Sequence, residues 1–264
     1  MFKNFFPKII NALPLKDSHR DKSKPLPMDN FNQNKNIWSK YAVNWDKQNI
    51  YIENPNVSSK VEKDSYLNFI GDEWGNVADT IKLIEQYIYP YITKTSTVGE
   101  IGVGGGRIAS KISSHVKKLY CFDISEPMLE RAKNALSNYS NINYILLTEA
   151  SLPESLSSSL DFIYSFDVFV HLDLHTIWKY FLEIRRILKP GGKAFLHTTN
   201  LKSPKGWERF SSQSHYSVEG HYFIIPEIIH ILAEHANFSI IKESRIDNSN
   251  FYLNRDYLFV LHKV

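Results

Sequence analysis

Apolar residues recur at two different spacings along residues 79–188, and the two spacings alternate. Residues 79–89 carry apolar side chains at helical spacing and are followed by Pro90, which predicts a helix that ends there. Short apolar runs predict strands at 95–101, 118–123, 143–147 and 160–170, with helices at 107–116, 125–136 and 175–188. Alternating strands and helices are typical of an α/β fold in which helices cover both faces of a mostly parallel sheet.

The last third of the chain has a different pattern. The sequence LKPGG at 188–192 predicts the end of the preceding helix and a turn into a strand at 193–200. Residues 201–225 show no clear periodicity, so this insertion is either a lid that faces a substrate or a surface loop. A helix over 226–235, which begins with proline, and two strands near 238–245 and 257–263 complete the predicted elements.

The first 92 residues lack the strand and helix alternation. Residues 1–13 place apolar side chains near one helical face, but Pro7 interrupts it, and a segment rich in proline and charge follows. A membrane-surface helix is one interpretation, and we favour an arm that packs locally or stays mobile. We divide the chain into an arm and linker at 1–35, an aromatic-rich helical cap at 36–92, and a core at 93–264 that contains the lid-like insertion 201–225.

Composition narrows the class of partner. With 264 residues the chain can bury one full core, and its 43% hydrophobic and 22% charged residues are ordinary for a globular protein. The net charge of +3 is too small for a nucleic-acid surface, which favours a small-molecule partner.

One cysteine, Cys121, excludes an intrachain disulfide, and no apolar run approaches the roughly 18 residues of a membrane span. We expect a cytoplasmic protein without membrane association, and the scattered histidines predict no metal site.

The candidate chemistry centres on residues 97–110, which read TVGEIGVGGGRIAS. An apolar run that breaks into glycines and resumes at helical spacing predicts a strand, a tight turn and a helix, as in the nucleotide sites of α/β proteins. Glu100 precedes Gly102 and Gly104. Because a carboxylate within about 4 Å of a phosphate costs up to roughly 4 kcal/mol at an effective dielectric constant of about 20, Glu100 favours a cationic ligand over a pyrophosphate.

Polar residues also stand near the ends of the second and fourth predicted strands, where ligands of open α/β sheets bind. Asp123 ends the second strand, and a carboxylate there can accept hydrogen bonds from two adjacent ribose hydroxyls. Ser165, Phe166, Asp167 and His171 lie late in or just after the fourth strand and are expected to face the same site. His171 is the candidate for proton transfer because histidine titrates near neutral pH, although it can instead order the turn before the next helix.

In their order and spacing, the segments EIGVGGG, FDISEPM, DFIYSFDVFVHL and LKPGG resemble the motifs of class I S-adenosylmethionine-dependent methyltransferases, over roughly residues 65–264. The resemblance implies a seven-stranded, mostly parallel, doubly wound sheet of Rossmann-like type, with an antiparallel last strand and an N-terminal helical cap that can close over the cofactor. S-adenosylmethionine is the implied cofactor. The residues implied for cofactor binding are Glu100, Gly102, Gly104, Asp123, Phe166, Ile124 and Met128 against the adenine, and Ala150 and Ser151 near its amino group.

The acceptor side is less well defined. The segment GDEWG at 71–75 resembles a subset of bacterial small-molecule methyltransferases, which implies that Trp74 and the acids Asp72 and Glu73 line the site, with Trp74 in contact with the substrate. Otherwise the segment is a helix cap with a packed tryptophan. Trp207, His215 and Tyr216 are further candidates for substrate binding, because such side chains stack on and hydrogen-bond to a polar ring. The sequence thus predicts methyl transfer to an oxygen or nitrogen of a small polar acceptor, such as a sugar or a glycan precursor.

Two other functions fit part of the pattern. A NAD(P)-dependent oxidoreductase or epimerase is expected if the glycine turn binds a pyrophosphate, but the glycine spacing and Glu100 argue against it. A non-catalytic cofactor-binding subunit is the second alternative, because the acceptor side carries no secure catalytic motif.

Overall fold

A computed structural model of the chain describes residues 29–45, 69–215 and 220–264. Seven strands within these ranges form one sheet: β1 (Thr97–Ile101), β2 (Lys118–Asp123), β3 (Ile142–Leu146), β4 (Leu160–Tyr164), β5 (Leu188–Thr199), β6 (Phe238–Glu243) and β7 (Asp256–Lys263). Their order across the sheet is β3-β2-β1-β4-β5-β7-β6. The pairs from β3 to β5 are parallel, and β7 runs antiparallel to both β5 and β6. The predicted seven-stranded, mostly parallel sheet with a reversed last strand is confirmed.

Helices cover both faces of this sheet. In the described ranges they are α1 (Asn30–Asn44), α2 (Val77–Tyr87), α3 (Ala109–Ile112), α4 (Glu126–Ala135), α5 (Leu174–Ile187), α6 (Pro204–Ser212) and α7 (Pro226–His235). Apolar residues of α2, α3 and α4 pack on one face, against Phe162, and those of α5 and α7 pack on the other, against Ile163. Since neighbouring side chains of a strand point to opposite faces, a continuous apolar run such as β4 supplies both cores.

The LKPGG segment is part of a strand rather than a separate turn. Leu188 ends α5 and already pairs with Leu160 of β4, while the next pair joins Phe162 to Lys193. The chain between these pairs forms a bulge in which Gly191 has a φ of 74°, a conformation that favours glycine. Leu188 is fully buried, so its packing holds the start of β5 in the sheet before the bulge.

The 201–225 insertion contains a helix that apolar periodicity does not predict. Ser203 Oγ accepts a hydrogen bond from Gly206 N at the start of α6, and Pro204 occupies the first turn. Trp207 and Phe210 are exposed by 57% and 41%, so no buried stripe marks this helix in the sequence. The start of this helix could have been predicted from the Ser203-Pro204 pair, which is typical of a helix N-terminus.

The predicted cap begins earlier than residue 36. Asp29 caps the N-terminus of α1 by accepting a hydrogen bond from Asn32 N, and the first turns bury Asn30 and Asn34 instead of apolar side chains. Of the predicted arm and cap, residues 1–28 and 46–68 lie outside the described residues. None of the helices in the described ranges is long and apolar enough to cross a membrane.

Candidate active site

A cleft lies at the carboxyl ends of β1, β2 and β4, beneath α1. The position follows from the topology, because the strand order reverses direction between β1 and β4 and the crevice opens there. The cleft brings together most residues expected from the sequence, namely Trp74, Glu100, Gly102, Gly104, Asp123, Ile124, Met128, Phe166 and His171.

The glycine turn after β1 gives the cleft an open backbone edge. Gly102 has a φ of 75°, and a Cβ at this position would come within 2.3 Å of the Val168 side chain. Gly104 has a φ of 53°, and a Cβ there would meet no atom within 4 Å. The backbone at Gly104 therefore faces free space, which a ligand can approach closely.

Asp123 is fixed between two loops at the end of β2. Its Oδ2 accepts a hydrogen bond from Gly104 N at 2.9 Å, and its Oδ1 accepts one from Ser125 N, also at 2.9 Å. Burial raises the pKa of the Asp123 carboxyl group to about 6, although these backbone donors oppose the shift. The carboxylate is held in one orientation and retains acceptor capacity for hydroxyl groups of a ligand.

Glu100 lies deeper in the cleft and is 2% exposed. Its Oε2 accepts a hydrogen bond from Tyr164 Oη at 2.9 Å. Burial raises the pKa of Glu100 to about 8, and this effect outweighs the opposing effects of Tyr164 and of the Arg107 charge. A buried carboxyl group with a raised pKa favours a cationic ligand, because a positive charge nearby stabilises the ionised form.

The apolar end of the cleft is formed by Ile124, Met128 and Leu147. Ala150 and Ser151, which the resemblance implied for this end, do not line the cleft. Ala150 packs against the α5 side of the core, and Ser151 N donates a hydrogen bond to Glu149 O at 2.8 Å. Instead, Leu147, the residue directly after β3, lines the apolar end of the cleft, because the chain turns away from the cleft after this residue.

Helix α1 roofs the cleft and is attached at both ends. Asn30 Nδ2 and Asn34 Nδ2 each lie 3.2 Å from His171 O and donate to it. At the other end, Arg131 Nε on α4 donates to Ala42 O at 2.6 Å. These bonds connect the cap to the residue expected for proton transfer.

Glu73 of the GDEWG segment also binds the cap. Its Oε1 accepts hydrogen bonds from Tyr41 Oη at 2.6 Å and from Trp45 Nε1 at 3.0 Å, while its Oε2 accepts one from Gly71 N at 2.8 Å. The acid is therefore saturated with structural partners. Trp74, its neighbour, lines the cleft.

Aromatic rings from the cap surround His171. The Trp38 ring lies edge-on to the His171 ring with centroids 4.9 Å apart, and it lies 5.6 Å from the Trp74 ring. His171 Nδ1 is 2.8 Å from Gly220 O, and because a carbonyl oxygen can only accept, Nδ1 carries the proton. Burial lowers the pKa of His171 to about 4, so the ring is neutral at pH 7 and its Nε2 can accept a proton.

A buried ionic network lies beside His171. Arg107 Nη2 is 2.5 Å from Asp167 Oδ2, and Arg255 Nη2 is 2.5 Å from Asp256 Oδ2 and 3.7 Å from Asp167 Oδ1. His197 Nδ1 accepts a hydrogen bond from Asp167 N at 3.1 Å. Burial alone would raise the pKa of Asp167, but Arg107, His197 and Arg255 lower it, so its carboxylate stays charged.

Sequence analysis did not single out Arg107, Arg255 or Asp256. Arg107 directly follows the glycine run, and this position is the feature of the sequence that could have marked it as a site residue. Nothing in the local pattern marks Arg255 and Asp256, which join the network through the pairing of β7 with β5.

Two of the substrate residues expected in the 201–225 insertion, Trp207 and His215, line neither the cleft nor the cavity beside it. Trp207 and His215 are exposed, and Tyr216 lies outside the described residues. A different residue of α6, Arg209, lines a cavity that adjoins the cleft.

Comparisons with known proteins agree with this geometry. Residues 99–196 match the sequence profile of the family described as Methyltransferase domain. No curated protein sequence matches the chain significantly.

Solved structures share the fold at low sequence identity. A protein of Pyrococcus horikoshii is 22% identical with a TM-score of 0.60, over 76% of this chain and 95% of that one. A SAM-dependent methyltransferase from Aquifex aeolicus is 17% identical with a TM-score of 0.55, over 83% and 100%. Phosphoethanolamine N-methyltransferase 1 of Haemonchus contortus, in complex with phosphoethanolamine and S-adenosylhomocysteine, is 16% identical with a TM-score of 0.65, over 89% and 49%.

Residues 99–196 match a methyltransferase domain, and the sheet order and the glycine turn are those expected of class I S-adenosylmethionine-dependent methyltransferases. S-adenosylmethionine is the cofactor that the motifs predict. The residues present fit this group: the open backbone at Gly104, the fixed carboxylate of Asp123 and the buried acid Glu100 suit a ribose and a cationic amino acid moiety. The two alternative functions are set aside.

We expect the Asp123→Asn substitution to weaken S-adenosylmethionine binding roughly 10- to 100-fold, since hydrogen bonds to a charged group contribute about 1.5–3 kcal/mol. Isothermal calorimetry measures this change. The matched control is Asp161→Asn, because Asp161 binds Thr97 N and Lys189 at the start of β4, away from the cleft. Equal affinities for the Asp123→Asn and unaltered proteins would exclude a ribose contact.

We expect S-adenosylmethionine binding at pH 7 to release up to about one proton, because Glu100 is mostly protonated in the free protein and ionises beside a cation. Asp123 titrates near pH 6 and contributes only about a tenth of a proton at this pH. Affinity therefore rises as pH increases from 6.5 to 7.5. Calorimetry in buffers of different ionisation enthalpy counts the proton, and Glu100→Gln should reduce the release to the small contribution of Asp123. Persistent release in that variant would show that another group titrates.

Proposed function

We propose that the enzyme moves the methyl group of S-adenosylmethionine to an oxygen or nitrogen of a small polar acceptor. The observation that carries this proposal is a second cavity of about 240 Å³ that adjoins the cofactor cleft. Trp38, Trp74, Asp167 and His171 line both spaces. An acceptor in the second cavity would thus meet the cofactor along a wall that contains His171.

Small size and polarity of the acceptor are supported by the cavity itself. Its volume is small, and its lining combines aromatic rings with polar groups such as Arg209, His221 and Arg255. The Haemonchus enzyme, which shares the fold, is bound to phosphoethanolamine, a small polar molecule. The low net charge of +3 supports a small molecule over a nucleic acid.

Bound S-adenosylmethionine supplies an electrophilic methyl group on a sulfonium. What the protein supplies is alignment, and effective molarities of well-oriented groups correspond to roughly 7–11 kcal/mol of barrier lowering. The cap contributes to this alignment because Trp38 and Asn34 close the cleft over the site. The aromatic rings also exclude water from the acceptor.

His171 is the proposed proton acceptor for a hydroxyl substrate. Its Nδ1–H is anchored on Gly220 O, which directs Nε2 as the free acceptor. The lowered pKa keeps the ring neutral throughout the physiological range and also makes it a weaker base than an exposed histidine. An amine that arrives in its neutral form would need no such base.

A reducing, cytoplasmic location is part of the same proposal. It is supported by the single cysteine of the chain, Cys121, which is buried in β2.

The direct test is a screen for S-adenosylhomocysteine formation with pools of nucleotide sugars and polar metabolites. We expect at least one pool to raise the rate well above the rate without acceptor. If the protein binds S-adenosylmethionine and no pool of small molecules stimulates turnover, the proposed acceptor class is wrong.

With a hydroxyl acceptor we expect the His171→Asn substitution to lower kcat by about 10²- to 10⁴-fold, the usual contribution of a general base. The asparagine amide can keep the hydrogen bond to Gly220 O but offers no acceptor in place of Nε2, so cofactor affinity should be unchanged. The exposed His175, on the outside of α5, provides the control His175→Asn, for which steady-state rates should equal those of the unaltered enzyme. An unchanged kcat for His171→Asn would exclude the proposed base.

A further inference from the structure

The second cavity is lined by an arginine that forms no ion pair with any of the described residues. Arg209 lines the cavity beside Arg255. Arg255 is paired with Asp256 and Asp167, at 2.5 Å and 3.7 Å. Within residues 29–45, 69–215 and 220–264, the Arg209 guanidinium forms neither a hydrogen bond nor an ion pair.

The other charged side chains near α6 have partners. Lys205 Nζ is 2.7 Å from Glu208 on the same helix, and Lys202 pairs with Glu227. Glu208 is therefore engaged along the exposed side of α6 and does not compensate Arg209.

The helix is fixed in an orientation that presents Arg209 to the cavity. A Cβ at Gly206 would lie 2.0 Å from Asn200 O and 2.9 Å from Arg255 O, so α6 packs directly on the backbone at both points. Arg209 follows Gly206 by three residues and shares its face of the helix. The close packing at Gly206 thus fixes the helix where Arg209 and Arg255 line the same cavity.

The charges around the cavity leave a positive excess. Arg107 and Arg255 are matched by Asp167 and Asp256, and Arg209 has no counterpart among the described residues. Burial lowers the pKa of both His171 and His221, so the two rings add no charge at neutral pH. Partial burial and the charge of Arg255 lower the pKa of Arg209, although Asp256 and Asp167 oppose this shift.

We infer that the acceptor carries an anionic group, a carboxylate or a phosphate, which binds Arg209 beside Arg255. A guanidinium offers paired N–H donors that match two oxygens of either anion. With the anion at Arg209, the other end of a small acceptor extends along the cavity toward His171 and the cofactor cleft. This inference rests on the proposed function, since it names the chemical class of the acceptor.

The test uses the full-length protein saturated with S-adenosylhomocysteine. It is titrated with inorganic phosphate and, separately, with acetate at constant ionic strength, and binding is followed by calorimetry and by the shift in melting temperature. We expect saturable binding of at least one of the two anions, and the stronger one identifies the group. Binding should be at least 10-fold weaker in Arg209→Gln and partly retained in Arg209→Lys.

The matched control is Lys205→Gln, which removes one positive charge from the exposed side of the same helix and should alter anion affinity less than twofold. Unchanged affinity for S-adenosylhomocysteine shows that Arg209→Gln is folded. The inference is wrong if neither anion binds saturably, or if Arg209→Gln binds as well as the unaltered protein.

The acceptor screen separates this inference from the proposed function. Turnover with uncharged acceptors, unaffected by Arg209→Gln, would overturn the anionic class and leave the methyltransferase function intact. Anion binding that depends on Arg209, together with no turnover on any small molecule, would retain the anion site and overturn the proposed function.

Discussion

The carboxylate of Asp167 lies between the cofactor cleft and the adjoining cavity, and the structure of both depends on it. It binds Arg107, which follows the glycine turn, and contacts Arg255, which precedes β7, at a backbone φ of 57° that few residues other than glycine adopt. Tyr252 Oη adds a hydrogen bond at 3.3 Å. Removal of one member of a buried pair costs about 3–5 kcal/mol because the other charge is left without a partner. The shapes of the cofactor cleft and of the adjoining cavity therefore both depend on the contacts of the Asp167 carboxylate.

Much of the sheet could be predicted because burial of parallel strands on both faces leaves continuous apolar runs in the sequence. Asp123 could be predicted for a related reason: a lone carboxylate at the end of such a run has few structural uses. Arg255 and Asp256 could not be found in this way. Charged residues near a strand usually face solvent, and only the pairing of β7 with β5 brings these two beside Asp167, almost 90 residues away in sequence.

Helix α6 and the first turns of α1 were not predicted from the sequence, for opposite physical reasons. In α6 the large apolar residues Trp207 and Phe210 are exposed, so periodicity gives no buried stripe. In α1 the buried positions are the polar Asn30 and Asn34, which hydrogen-bond to His171 O. Both exceptions border the site, where contacts that serve a ligand or a cap replace the ordinary pattern of core packing.

The attachment of α1 differs in kind from the packing of the sheet. Among the described residues, the two main cores each contain more than twenty buried apolar residues, whereas the cap shares a buried cluster of Ala42, Ile70 and Met128, with Trp38, Tyr41 and Trp45 packed against it. Its other attachments in the described ranges include ring contacts of Trp38 with Trp74 and His171, and hydrogen bonds that each have a net value of about 0.5–1.5 kcal/mol, since water can replace the lost partner. The roof of the cleft can therefore lift while the sheet stays folded. A ligand buried beneath it can therefore enter and leave by local opening of the cap, which requires only a small fraction of the free energy of global unfolding.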